Sequence, residues 1–406
     1  MMNIIFDDGL HELAPMTDLR GAFDIRTGIL TSLERIARSL EHPLTDVLVP
    51  EHLASVTREA HARLNINPSF EAVGSAGDVT LVNGCWVNPP RQLALEEDTA
   101  WISDDRQYVL AARMTGPFAI DFVDGGGIPA GIDLVEIAGA QVLQHPWDVI
   151  RYRDAVLRDD VERTKVDEAP RLPDGCTIIA GDHRIVIHRT ARVGPGSVLD
   201  AEAGPIVIDR DAIVRPGAIL CGPCSVGRGA TIVERAHIKA NTVIGPRCKV
   251  GGEVGGTIFQ GFSNKAHEGH LGDSWVGEWV NFGAATTNSN LLNTYCEVTM
   301  RATPQGSRKR TGLTFLGCIV GDHVKFAINS RIMTGTVIGT GAMIATSTPP
   351  PTTVPPFAWL TDDAAQAGDR NYRLEKFLDV AATVMGRRDV ILTDAMKSAI
   401  AKLHSA

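Results

Sequence analysis

Aromatic side chains are scarce in this chain, at 5% of 406 residues, whereas glycine numbers 40. A core built on large rings is therefore disfavoured, and tight turns with small inward side chains are favoured. Positive charge is short as well: 39 Lys and Arg against 48 Asp and Glu leave a net charge of −9. That balance excludes a nucleic-acid footprint, which needs a basic face. The one compact basic cluster, Arg308-Lys309-Arg310, reads as a solvated loop or as a grip on an anionic ligand. No apolar run approaches the about 18 residues of a membrane span. The first ten residues lack the basic-then-apolar order of a signal peptide, so the expected compartment is the cytoplasm. Cysteine is too sparse and odd in number, at seven, for a disulfide framework. The Cys221–Cys224 pair has no second pair to make a zinc site with it.

What is present is a beat. From Ile208 an aliphatic residue recurs every six positions through Val214, Leu220, Val226, Ile232, Ile238, Ile244 and Val250. Four residues after each comes a small one, from Ala212 through Cys224 to Cys248. Earlier and later runs keep the same rule: Ile187, Val193, Leu199, and Val320, Phe326, Ile332, Ile338, Ile344. A period of six is the mark of a left-handed parallel β-helix, in which three flat faces close one triangular coil. The aliphatic residue points inward and the small one fits near the corner. Coils stack about 4.8 Å apart by parallel strand pairing. Each buried aliphatic contributes about 1.5–3 kcal/mol, and stability adds along the stack.

The repeats lapse at about 251–271 and 289–316, where loops are expected to project from one face. Four parts follow. Residues 1–165 read as an α/β domain, 176–348 as the β-helix, 349–371 as an extended proline-rich linker, and 372–406 as two helices. Within the first part, Asn3–Phe6, Val79–Val87, Ala100–Ile102 and Tyr108–Met114 read as strands. Gly28–Leu40, Pro50–Leu64 and Trp147–Thr164 read as helices. Thr393 or Asp394 is placed to cap the last helix.

The segment from Ser263 to Asn290 carries the chemistry. It places His267, Leu271-Gly272-Asp273, Val276-Gly277, Val280-Asn281, Gly283-Ala284, Thr286 and Asn290 at fixed, ungapped spacing. This pattern resembles the acetyltransferase half of the bifunctional UDP-N-acetylglucosamine pyrophosphorylase/glucosamine-1-phosphate acetyltransferases. The whole chain looks like a divergent bacterial branch of that family with a shortened N-terminal domain. The resemblance implies an acyl transfer from acetyl-CoA to an amino sugar or sugar phosphate, with His267 as general base. Imidazole, with an unperturbed pKa near 6.5, suits that role. The resemblance further implies that Asn281 and Asn290 contact sugar or orient the base. Backbone groups at Gly283 and Ala284 would meet the thioester carbonyl. Such sites lie between adjacent β-helices, which implies a homotrimer. Lys265, in the same segment, is a candidate substrate contact. Departures at His270, Leu291–Thr294 and Ile328 leave the acceptor sugar open. A zinc reading with His237, His267, His270 and His323 is the weaker alternative.

The stretch His11–Arg20 resembles a segment of sugar-phosphate nucleotidyltransferases. The glycine-rich loop that should precede it is replaced by Asp7-Asp8-Gly9. Asp7 and Asp8 are either Mg²⁺ ligands or a strand-end turn. Arg20 and Arg26 are either anion contacts or ion-pair partners. Two rival functions stand beside acyl transfer. One is sugar-1-phosphate nucleotidyl transfer from UTP or dTTP, with the β-helix as trimerisation scaffold. The other is a non-catalytic scaffold.

Overall fold

The computed structural model describes residues 2–7, 9–125, 127–164, 177–363 and 370–406. Among them, seven strands of the N-terminal half form one mixed sheet. Its order is Asn65–Ile66, Asp46–Leu48, Met2–Phe6, Val79–Asn83, Val109–Met114, Thr99–Ser103, Asp133–Ile137. The first four run parallel, and Val109–Met114 is antiparallel to both its neighbours. The strands expected at Ala100–Ile102 and Tyr108–Met114 are present as the antiparallel pair Thr99–Ser103 and Val109–Met114. The strand Asp133–Ile137, which lies parallel to Thr99–Ser103, was not expected. The first helix is Ser32–Ser39 rather than Gly28–Leu40. It starts late because Thr31 caps it reciprocally with Glu34. Gly28 is held so close to the Asp160 carboxylate that a Cβ there would lie 2.4 Å from Oδ2.

From Thr177 onward the chain winds into a parallel β-helix. Thr177–Ala180 begins the stack. The three faces then recur as Ile185–Ile187, Arg192–Val193 and Ser197–Asp200, the last pairing on Thr177–Ala180, and Ile206–Ile208 pairs in register on Ile185–Ile187. The aliphatics of the six-residue beat point inward and are buried, among them Val214, Leu220, Val226, Ile232 and Ile238. Cys224 and Cys248 are core side chains of the same stack, and burial pushes their thiols up, Cys248 to about 12.

Outward side chains decide what each face does. On the nine-stranded face that begins at Ile185–Ile187, the outward residues Val207, Val243, Ile258, Trp275, Ile319 and Val337 are buried in one core with the N-terminal half. A strand buried on both sides reads as a continuous apolar run. The other two faces present Arg192, Ile213, Thr231 and Lys249, and Val198, Ile219, His237 and Glu253. We call these the covered, first open and second open faces. Val243→Ala is therefore expected to cost about 2 kcal/mol. Thr231→Ala, one face away, should stay within about 0.5 kcal/mol in the same urea titration.

Two expectations of layout are corrected. The lapse at 251–271 is not a projecting loop. Glu253–Gly255, Ile258–Gly261, Asn264–Lys265 and His270–Gly272 all continue the ladders. The beat is hidden because glycine corners shorten the coil: Gly252 has φ +73° and Gly256 +55°, conformations open to glycine at little cost. The stretch 349–371 is not simply an extended linker either. Thr353–Val354 and Trp359–Thr361 add to the stack. Its prolines, Pro349–Pro351 and Pro355-Pro356, fall outside both strands, so neither ladder needs the N–H groups they lack. The lapse at 289–316 does leave the prism. It holds an antiparallel pair, Thr299–Met300 with Lys309–Arg310, and Val298 and Met300 enter the core shared with the N-terminal half. The helices Leu374–Gly386 and Asp394–Ser405 close the chain, the second capped by the Thr393 hydroxyl.

Candidate functional site

The segment 263–290 makes one full coil and part of the next. It runs from Asn264–Lys265 on the first open face to His270–Gly272 on the second, then Trp275–Glu278 on the covered face, and returns through Asn281 to Thr287–Asn288. His267 lies at the corner between the two open faces, and its side chain is exposed. The turn is wedged between coils. A Cβ on Gly252 would meet the His267 carbonyl at 2.8 Å, and one on Gly269 would meet Thr286 O at 2.2 Å.

Lys265 fixes that turn from inside. Its backbone pairs with Val250, so it occupies an inward, aliphatic position of the ladder. Its side chain is 2% exposed, and the ammonium donates to Gly269 O at 2.7 Å, His267 O at 3.0 Å and Gly251 O at 3.2 Å. The structure thus gives Lys265 a positioning role in place of the expected substrate contact. Counting the six-residue beat back from Leu271 lands on Lys265, a signal that a search for aliphatics alone passes over. Burial pushes its pKa down to about 8, against the opposing pull of Glu268. Between about pH 8 and the ordinary lysine value of 10.5 the unfolded chain holds a proton the folded chain has released, so stability rises with pH there. Lys265→Met should flatten that rise. The check is the difference between wild-type and variant unfolding free energies across this window, since Lys325, pushed to about 7 by burial, adds a rise of its own to both.

Asn281 bridges Asn264 in the coil before it and Lys325 in the coil after. Its side-chain oxygen accepts from Asn264 Nδ2 at 2.8 Å, which orients the amide along the first open face. Gly283 backs onto Ala327 so closely that a Cβ would lie 2.5 Å from its backbone. The Gly283 N–H donates to Phe326 O, whereas the Ala284 N–H has no acceptor among the described residues. Of the two, Ala284 offers the free donor. Asn290 stands at the opposite end of the second open face from His267. Its Nδ2 donates to Asp273 Oδ2 at 2.7 Å, and Asp273 Oδ1 accepts from Arg153 of the N-terminal half at 2.9 Å. The structure therefore brings His267, Lys265, Asn281 and Ala284 to neighbouring coils and places Asn290 across a strand. The Arg153–Asp273 link had no signal in the sequence, because its partners lie 120 residues apart.

The N-terminal candidates are used internally. Arg20 Nη2 reaches Asp322 Oδ2 at 2.7 Å and Glu278 Oε2 at 3.5 Å, an ion pair between the two halves rather than an anion contact. Arg26 donates through its backbone N–H to Gln260 Oε1 at 2.8 Å and through Nε to Gln260 O at 3.2 Å. Asp7 takes the turn reading. Its carboxylate accepts from Gly9 N, Ala22 N and His11 Nε2. Burial pushes its pKa up, but the His11 contact and the two N–H groups outweigh this and hold it low. With both oxygens so engaged, Asp7 does not fit a Mg²⁺ ligand set. Asp8 lies outside the described residues. Among the described residues no group of three His, Cys, Asp or Glu side chains is placed to hold a metal ion. His237 lies 3.8 Å from Cys221 Sγ, His270 faces Glu253 at 3.5 Å, and His323 is buried beside Trp279.

The crevice where a nucleotide would enter such a sheet lies at the carboxyl ends of Met2–Phe6 and Val79–Asn83, where the order of connections reverses. Here the buried Phe23 packs against Gly84: a Cβ on Gly84 would meet the Phe23 Cβ at 2.8 Å. Clefts of about 240–1040 Å³ open elsewhere, and His267 lines none of these four.

Residues 3–168 match the family model described as "Sugar nucleotidyl transferase". The chain is 32% identical over 111 residues to a "Bifunctional sugar-1-phosphate nucleotidylyltransferase/acetyltransferase" of Sulfurisphaera tokodaii, covering 27% of each protein. It is 28% identical over 220 residues to a "Bifunctional protein GlmU" of Rippkaea orientalis, which is 52% of this chain and 46% of that one. A similar protein of Cyanothece is 27% identical over 224 residues, or 53% and 47%. The chain thus spans less than half the length of these relatives. The family match over residues 3–168 and the bifunctional relatives agree with the resemblance drawn from the sequence, and the low identity fits a divergent branch.

Proposed function

We propose that this chain is a transferase whose β-helix moves an acyl group from an acyl-coenzyme A thioester to the amine or hydroxyl of a sugar or sugar phosphate. The observation that carries the reading is the exposed imidazole of His267 on a corner turn held by the Lys265 ammonium, one coil from a free Ala284 N–H. His267 takes the proton as the acceptor nitrogen or oxygen attacks the thioester carbonyl. The Ala284 N–H faces the developing oxyanion. The thiolate then leaves and recovers a proton. The corner is convex in one chain, so a second copy completes a groove there, in keeping with a homotrimer. The test is release of free thiol from acetyl-CoA with a panel of amino sugars and their 1-phosphates. Thiol release with no member of the panel sinks the proposal.

A second reading, sugar-1-phosphate nucleotidyl transfer by the N-terminal half, is supported by the family match over 3–168. Phe23 packed against Gly84 and the enclosed Asp7 carboxylate weigh against it. Pyrophosphate release from UTP or dTTP with a sugar 1-phosphate would restore it.

A further inference from the structure

A cleft of about 1040 Å³ lies between the N-terminal half and the β-helix, at the corner between the covered and first open faces. One wall is the helix Ser32–Ser39 with the end of Asp148–Arg163, and the other is the corner at Gly227-Arg228 and Gly245-Pro246. Five arginines line it, Arg26, Arg38, Arg91, Arg163 and Arg228, against three carboxylates, Glu34, Glu162 and Asp209. This local surplus stands out in a chain whose net charge is −9.

Three of the arginines are partly engaged. Arg91 pairs with Glu162, Arg163 holds Asp159 and the Pro89 carbonyl, and Arg26 holds Gln260. Arg38 lies on the helix wall and Arg228 on the corner wall, both exposed, and neither has a side-chain partner among the described residues. Guanidinium groups held across a cleft repel one another, and the low-dielectric walls focus their field onto whatever lies between. Their forked donors match phosphate oxygens two at a time. A cleft of this volume takes a small molecule rather than a polymer. We propose that it binds a phosphate ester of nucleotide or sugar-phosphate size, gripped between Arg38 and Arg228.

The experiment is calorimetric titration of the full chain with UDP, glucose 1-phosphate, inorganic phosphate and uridine. UDP or glucose 1-phosphate should bind more tightly than inorganic phosphate, and uridine should not bind. The double variant Arg38→Glu, Arg228→Glu should weaken that binding at least about tenfold, the equivalent of losing one charge-assisted contact. Both side chains are exposed, so the fold should tolerate the change, and Arg228→Ala provides a milder variant with a smaller loss. Arg301→Glu, an exposed arginine outside the cleft, should bind as the wild type does. Absence of binding by every phosphate probe, uridine binding as well as UDP, or equal affinity in the double variant overturns the proposal.

Discussion

His267→Ala is expected to lower acyl transfer about 10²–10⁴-fold, the usual worth of a positioned general base. In the proposed role the loss falls on kcat, because a general base acts on the proton that moves in the transition state rather than on ground-state binding. The fold should not suffer. The His267 ring is exposed and makes no hydrogen bond among the described residues; its backbone carbonyl, which the substitution keeps, is what Lys265 holds. Stability should therefore change by no more than about 0.5 kcal/mol. Thermal unfolding beside thiol-release kinetics separates the two effects. Full activity in a folded His267→Ala protein removes this residue from the chemistry.

The second large effect is on stability. Asp160 and Arg35 are both wholly buried and form a bidentate pair, Nε to Oδ1 and Nη2 to Oδ2, each at 2.8 Å. Asp160 Oδ2 also accepts from the Leu30 N–H, and Arg35 donates to Thr27 and to the Leu30 carbonyl. The pair pins the helix Ser32–Ser39 to the helix Asp148–Arg163. Asp160→Ala strands a guanidinium in the interior and should cost about 3–5 kcal/mol. Arg35→Met with Asp160→Leu removes both charges and should recover much of that loss, since burying the pair is itself opposed by desolvation. Urea unfolding of the single and double variants measures both. A loss under about 1 kcal/mol in Asp160→Ala would mean that the interior there opens to water.

The prism was legible because its cause is local and periodic. An aliphatic every six residues has one way to be buried on a three-sided coil, so Ile208 through Val250 announce it without help from the rest of the chain. The segment that bears His267 was legible for a related reason: His267 to Asn290 is contiguous, and its spacing survives intact. Where the period is interrupted by glycine corners, or where Lys265 stands in an aliphatic position, the same reasoning read a loop. The linker assigned to 349–371 failed because its prolines fall outside the two short strands that add to the stack.

The identity of the covered face also lay in the sequence, at a longer period. The outward positions Val207, Val243, Ile258 and Ile319 are apolar, with Ser225 as an interruption, whereas the open faces mix Ile213 and Ile219 with Arg192, Lys249, His237 and Glu253. That apolar stripe declares that something must cover the face, because exposed apolar patches of that length are not left to water.

The sequence by itself determined the coil, its inward residues and the turn that bears His267, since each follows from side chains near one another along the chain. Only the tertiary structure decided that Arg20 and Arg153 tie the halves together through Asp322 and Asp273, that Phe23 packs against Gly84 at the end of its strand, and that Arg38 and Arg228 line one cleft. Partners separated by more than a hundred residues leave no periodic trace. A charge's role is set by what burial and packing bring beside it, and that is known only when the chain has closed on itself.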